Sequence, residues 1–127
     1  MRLLLDTHTL IWHFDDNASL SPSVKRSIND PENELFISVA SVWELSLKTS
    51  LGKLRIEIPI HDLITGYIQT GTSLLSITLE HAIKTASLPW HHRDPFDRML
   101  IAQAQLEGLT IATCDDLVRQ YNVPHIW

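Results

Sequence analysis

The chain has 127 residues, with 15 Asp+Glu against 10 Lys+Arg for a formal net charge of −5, and 44% of its residues are hydrophobic. That length suits one domain with its own core, and the single cysteine, Cys114, excludes a disulfide framework, a zinc knuckle and a CxxC redox pair. No run approaches the roughly 20 apolar residues of a membrane span, the first apolar run is too short for a signal peptide, and the acidic balance argues against nucleic-acid binding by bulk charge, so the expectation is one soluble, cytoplasmic domain over residues 1–127.

Arg2 to Leu5 is a short apolar run ended by Asp6 and predicts a buried strand. Thr7 to Phe14 follows as a helix that Asp15-Asp16-Asn17 breaks. Ser21 as N-cap and Pro22 at the first helical position start a helix reaching about Asn29, and Asp30-Pro31-Glu32-Asn33 is a turn. Glu34 to Ser38 is a second strand, and Val39 to Leu51 a helix closed by Gly52. On that helix Val39, Trp43, Leu47 and Leu51 share one stripe, which places Trp43 in the core. From Lys53 to Ile58, Leu54, Ile56 and Ile58 alternate with charged residues, as in an edge strand or an extended connection. Ile60 to Gln69 is a helix closed by Gly71, Ser73 to Ile77 a third strand, Thr78 to Leu88 a helix, and Pro89 to Asp94 a loop. Pro95 to Glu107 is a helix closed by Gly108, Leu109 to Ala112 a fourth strand, Asp115 to Tyr121 a short helix, and Pro124 to Trp127 a last strand. This alternation predicts an α/β fold, a parallel sheet flanked by helices on both faces. Such sheets place their ligand site outside the carboxyl ends of the strands.

Asp6, Glu44, Asp94, Asp97, Asp115 and Asp116 all fall just past a predicted strand or near the start of the next helix. On a parallel sheet they share one edge. Two carboxylates about 4 Å apart repel by roughly 4 kcal/mol at an effective dielectric of 20, so a cluster needs protons or a cation. A hard divalent cation suits oxygen ligands and can serve phosphodiester cleavage. Each acid also has a structural reading. Ser41-Val42-Trp43-Glu44 matches a capping box, Asp94-Pro95-Phe96-Asp97 matches an N-cap with a first-turn proline, and Asp115 or Asp116 could cap the last helix. These readings do not explain why every acid reaches the same sheet edge. Asp6-Thr7-His8 has His8 where the nucleophile loop of haloacid-dehalogenase-like phosphatases needs a second Asp. His91-His92 lack the spacing of a transition-metal pair and belong to a polar loop. No GxSxG or activated cysteine supports a nucleophilic mechanism.

LLLDTHTLIW, ISVASVWELSLKTSLGKL, LPWHHRDPFDRMLIAQA and TIATCDD, in this order and spacing, resemble PIN-domain ribonucleases, and among them VapC-type toxins of toxin–antitoxin pairs. The resemblance spans Leu3 to Val123. It implies a single PIN-like domain and a Mg²⁺- or Mn²⁺-dependent endoribonuclease that cuts RNA phosphodiester bonds with a metal-activated water. Asp6, Glu44, Asp97 and Asp115 would be its catalytic and metal-holding residues, with Asp94 an N-cap that also touches the metal's surroundings. Thr113 or Thr7 would orient the water, and Arg93, Arg98 and Lys48 would contact RNA. The implied partners are RNA, an antitoxin that blocks the site, and a second copy in a homodimer, with no membrane. Trp12 and Trp90 are candidates for an antitoxin anchor or a base-stacking surface. The competing readings are a catalytically silent interaction module, a housekeeping RNA-processing nuclease, and a related α/β phosphatase.

Overall fold

A computed structural model describes residues 1–127. Strand β1 (Arg2–Leu5) leads through helices α1 (Thr7–Phe14) and α2 (Pro22–Asn29) to β2 (Glu34–Ser38), followed by α3 (Val39–Ser50) and α4 (Ile60–Gln69). Then come β3 (Ser73–Leu75), α5 (Leu79–Ser87), α6 (Pro95–Glu107), β4 (Thr110–Ala112), a 3-10 turn (Val118–Gln120) and β5 (His125–Ile126). The five strands form one parallel sheet in the order β3-β2-β1-β4-β5. No helix is long and apolar enough to cross a membrane.

The Leu3-Leu4-Leu5 run is fully buried because the sheet is covered on both faces. Leu4 joins Phe36, Leu100, Ile101 and Ile111 on one side. Leu3 and Leu5 join Leu10, Val24, Ile37 and Leu45 on the other. Each fully buried leucine stabilises the fold by about 1.5–3 kcal/mol.

Strand order reverses at β1, which lies between β2 and β4. Leu5 is level with Ile37 on one side and with Ala112 on the other. The residues that follow, Asp6, Ser38 and Thr113, therefore emerge side by side, at the crevice where open parallel sheets bind ligands. Asp6 N–H still donates to Ala112 O, at 3.2 Å.

Helix starts follow their caps. Ser21 Oγ accepts from Val24 N–H with Pro22 in the first turn, and Asp94 caps α6 with Pro95 behind it. Gly108, at φ +68°, ends α6 in the left-handed conformation that lets the chain turn at once into β4.

Several expected elements are shorter or absent. The third strand stops at Leu75, because only Ser73 to Leu75 lie opposite residues of β2. Lys53 to Ile58 is an extended connection outside the sheet, with Leu54 and Ile56 packed on the core beneath. The last helix is reduced to the 3-10 turn. Trp43 is not in the core: it is 61% exposed, and Leu47 and Leu51 beside it are exposed too. Helix α3 leaves β2 with no connecting loop, and Ser38 fixes its rotation. Ser38 Oγ accepts from Ala40 N–H at 3.0 Å and donates to Gln103 Oε1 at 2.5 Å. The face turned inward is consequently Ala40, Ser41, Glu44 and Leu45.

Candidate metal centre

Asp6 is the N-cap of α1, and its Oδ1 accepts from Thr9 N–H at 2.8 Å. Burial pushes its carboxyl pKa up; hydrogen bonds from Thr113 and Thr9 oppose this without cancelling it. Glu44 lies inside α3, whose N-cap is Ser38, so the capping box with Ser41 is not formed. The Glu44 carboxylate is buried instead at the sheet edge. Thr7 Oγ1 donates to its Oε1 at 2.6 Å, and Lys48 Nζ donates to its Oε2 at 2.6 Å.

Asp94 is the N-cap of α6, its Oδ1 accepting from Phe96 N–H at 2.8 Å and Asp97 N–H at 3.3 Å. This frees the Asp97 side chain from capping. Its carboxyl pKa is pushed up to about 7, chiefly by burial and next by the charge of Asp94, with Glu44 and Asp6 adding and His92 opposing. Asp115 Oδ1 accepts from Leu117 N–H at 2.8 Å, and Asp115 N–H donates to Thr113 Oγ1 at 3.0 Å. Asp116 points away and pairs with Arg119 at 3.6 Å.

Asp97 therefore feels the charges of Asp94, Glu44 and Asp6, and it shares His92 with Asp115; Asp6 and Glu44 lie outside the closest group of ligating atoms. Two basic side chains face these acids, Lys48 and His92. Lys48 sits on Glu44, which raises the Lys48 pKa, and Asp94 and Asp97 add to the rise. His92 Nε2 lies 3.0 Å from both Asp97 Oδ2 and Asp115 Oδ2. His92, Asp97 and Asp115 each present a metal-ligating atom within 4.8 Å of the others. The donor set is mostly carboxylate oxygen, which fits a hard divalent ion such as Mg²⁺ or Mn²⁺.

Three expected roles change. Arg98 is 4% exposed and does not face a substrate: its guanidinium donates to the carbonyls of Thr85, Leu88, Pro89 and His92 and to the Tyr121 hydroxyl. Trp90, 71% exposed, lies over that guanidinium at 3.7 Å. The hydroxyl proton of Thr7 goes to Glu44, so Thr7 orients a carboxylate, and Thr113 Oγ1 accepts from Asp115 N–H. Lys48 is engaged by Glu44 and is no free rim cation. Arg93 is exposed beside the acids. Trp12 is half-buried against Trp127, ring centroids 5.8 Å apart. His92 is the residue that sequence reasoning missed: its partners lie 5 and 23 positions away, and only the adjacent HHRD acid hinted at them.

Residues 3–124 match the sequence model of the family described as PIN domain. No curated protein matches the chain. Among solved structures, the VapBC2 complex from Rickettsia felis bound to a promoter DNA fragment contains a similar chain (TM-score 0.70, 13% identity, covering 100% of this chain and 99% of that one). DNA-bound VapBC from Salmonella typhimurium contains another (TM-score 0.66, 19% identity, 100% and 97% covered). So does FitAcB from Neisseria gonorrhoeae (TM-score 0.61, 18% identity, 98% and 96% covered). At these identities the likeness is one of fold.

Proposed function

Because this chain belongs to the PIN-domain family, we propose that it is a Mg²⁺- or Mn²⁺-dependent endoribonuclease acting as the toxin of a toxin–antitoxin pair. The observation that carries this reading is the grouping of acids at the reversal point of the sheet, where Asp97 and Asp115 share His92 at 3.0 Å and burial, with the charges of Asp94, Glu44 and Asp6, pushes the Asp97 pKa up to about 7. So costly an arrangement has its use in holding a cation.

Asp6, Glu44, Asp97 and Asp115 would hold the ion. When bound, a hard divalent cation offsets the charge that develops at phosphorus and lowers the pKa of a bound water. The chain's own groups do the rest. Thr7 aims Glu44, Thr113 Oγ1 accepts from the Asp115 backbone, and Lys48 offsets one negative charge. Arg93, exposed next to Asp94, is placed to take a phosphate oxygen. The complexes that contain similar chains are toxin–antitoxin assemblies, which supports an antitoxin as partner here.

The same reading includes a homodimer. Outer faces of α3 and α5 expose Trp43, Leu47, Leu51, Leu79 and Ile83, the last two 70% and 64% exposed. Trp43 and Ala86 border a cleft of about 310 Å³ over the start of α6. An apolar face of this extent suits a protein, and a second copy would supply both ridge and cleft to the other.

The test is cleavage of total cellular RNA by purified protein in Mg²⁺, with and without EDTA, followed by mapping of the new 5′ ends. Cleavage that EDTA abolishes, at defined positions, is expected. Cleavage indifferent to EDTA would overturn the metal-dependent reading, and no cleavage of any RNA class would favour a silent binding module.

A further inference from the structure

The loop Pro89–Asp94 is held from below more firmly than a surface connection requires. Arg98 Nη1 donates to Pro89 O at 2.8 Å, and Nη2 to Thr85 O at 2.7 Å. The Tyr121 hydroxyl donates to Pro89 O at 2.8 Å and accepts from His92 N–H at 2.9 Å. A buried guanidinium and a buried phenol thus fix the backbone that carries His92. The ring is fixed as well. Asp94 N–H donates to His92 Nδ1 at 3.2 Å, so Nδ1 is the acceptor nitrogen and Nε2 is left to carry the ring proton. That nitrogen lies 3.0 Å from one oxygen of Asp97 and 3.0 Å from one oxygen of Asp115.

We infer that His92 is a positioning residue whose Nε2–H bridges Asp97 and Asp115 and competes with the divalent cation for that pair of oxygens. A protonated ring nitrogen offers no lone pair to a metal, so in this orientation His92 is a donor to the carboxylates and not a ligand. The bridge steadies two like charges in the metal-free protein and opens when the ion enters. His92 therefore sets how tightly the centre binds metal. This inference rests on the metal-centre reading above.

The test is calorimetric titration of EDTA-stripped protein with Mn²⁺ alone, for wild type, His92→Ala and His92→Gln. Removing the competitor in His92→Ala is expected to tighten Mn²⁺ binding about tenfold, the scale of one hydrogen bond to a charged group, and to lower the metal-free unfolding midpoint. His92→Gln, whose amide N–H₂ can bridge the same oxygens, is expected within about twofold of wild type. In parallel, ¹⁵N NMR of wild-type imidazoles should show the Nε2–H tautomer at His92 without metal and a change there on adding Mg²⁺. Mn²⁺ binding by His92→Ala that equals or falls below wild type would overturn the proposal and leave the metal centre standing. If that variant does not fold, His92 resonances unmoved by bound Mg²⁺ would overturn it instead. Wild-type protein that binds no Mn²⁺ would remove the metal-centre reading and this proposal together.

Discussion

Replacing Asp97 by Asn should stabilise the metal-free protein at pH 8, although the side chain is mostly buried and hydrogen-bonded. The Asp97 carboxyl pKa is near 7 in the fold against an ordinary 3.8, through burial and the charges of Asp94, Glu44 and Asp6. For a lone group that difference corresponds to about 4 kcal/mol. Asp97 shares its proton equilibrium with neighbours and gives up a His92 hydrogen bond on substitution, so we expect a gain of about 2 kcal/mol. The sign depends on pH. A folded-state pKa above that of the unfolded chain favours folding fully below about pH 4, and this advantage disappears as pH rises through about 7. Asn does not titrate, so the two proteins should be alike near pH 4 and diverge toward pH 8. Urea unfolding in EDTA at pH 4.5, 6 and 8 measures this; in thermal unfolding about 2 kcal/mol equals roughly 6–10 °C in midpoint at this chain length. Saturating Mg²⁺ should reverse the order, because only wild type keeps the full carboxylate set. An Asn variant less stable than wild type at pH 8 in EDTA would refute the claim that burial and neighbouring acids penalise the Asp97 charge in the fold.

Asp6→Asn keeps the cap on α1 but removes a charge from the centre, and should lower Mg²⁺-dependent RNA cleavage at least about 100-fold with an unchanged circular dichroism spectrum. Arg98→Met should cost about 3 kcal/mol or more in urea unfolding, because buried carbonyls at Thr85, Leu88 and Pro89 lose their donor. A loss under 1 kcal/mol would mean that the guanidinium is not needed to hold the loop. On the proposed homodimer, wild type should sediment as a dimer at micromolar concentration and Trp43→Glu as a monomer with an unlowered unfolding midpoint; a monomeric wild type would refute the dimer, and a variant that still dimerises would move the interface elsewhere.

Periodicity made the framework legible. Three consecutive leucines before Asp6 mark a strand covered on both faces, and Asp94-Pro95 marks the start of α6 almost to the residue. The positions of the acids proposed for the site were legible for the same reason, since each lies just past a strand or within the first two turns of a helix and a parallel sheet gathers those ends. Helix α3 was harder, because two stripes of helical spacing compete on it. Hydrophobicity favours the Trp43 stripe, but the rotation imposed by Ser38 buries the stripe with Glu44. Arg98 falls among the buried residues Leu100, Ile101 and Ala102. Its charge suggests solvent, and its acceptors are backbone carbonyls that carry no mark in the sequence. His92 depends on Arg98 and Tyr121 in turn, so its position follows only from the assembled loop.

The central place of β1 has a consequence for how the molecule comes into being. Its neighbour β4 lies roughly 100 residues downstream, which at about 5–20 residues per second separates their synthesis by roughly 5–20 s. During that interval Leu3-Leu4-Leu5 has one flank without a partner, an apolar edge on which chaperones or other nascent chains can act. The acids are spread from position 6 to position 115 and meet only after β4 docks. If these acids form the proposed metal centre, a growing chain lacks it until β4 docks, and the transition that completes the sheet is also the one that completes the centre.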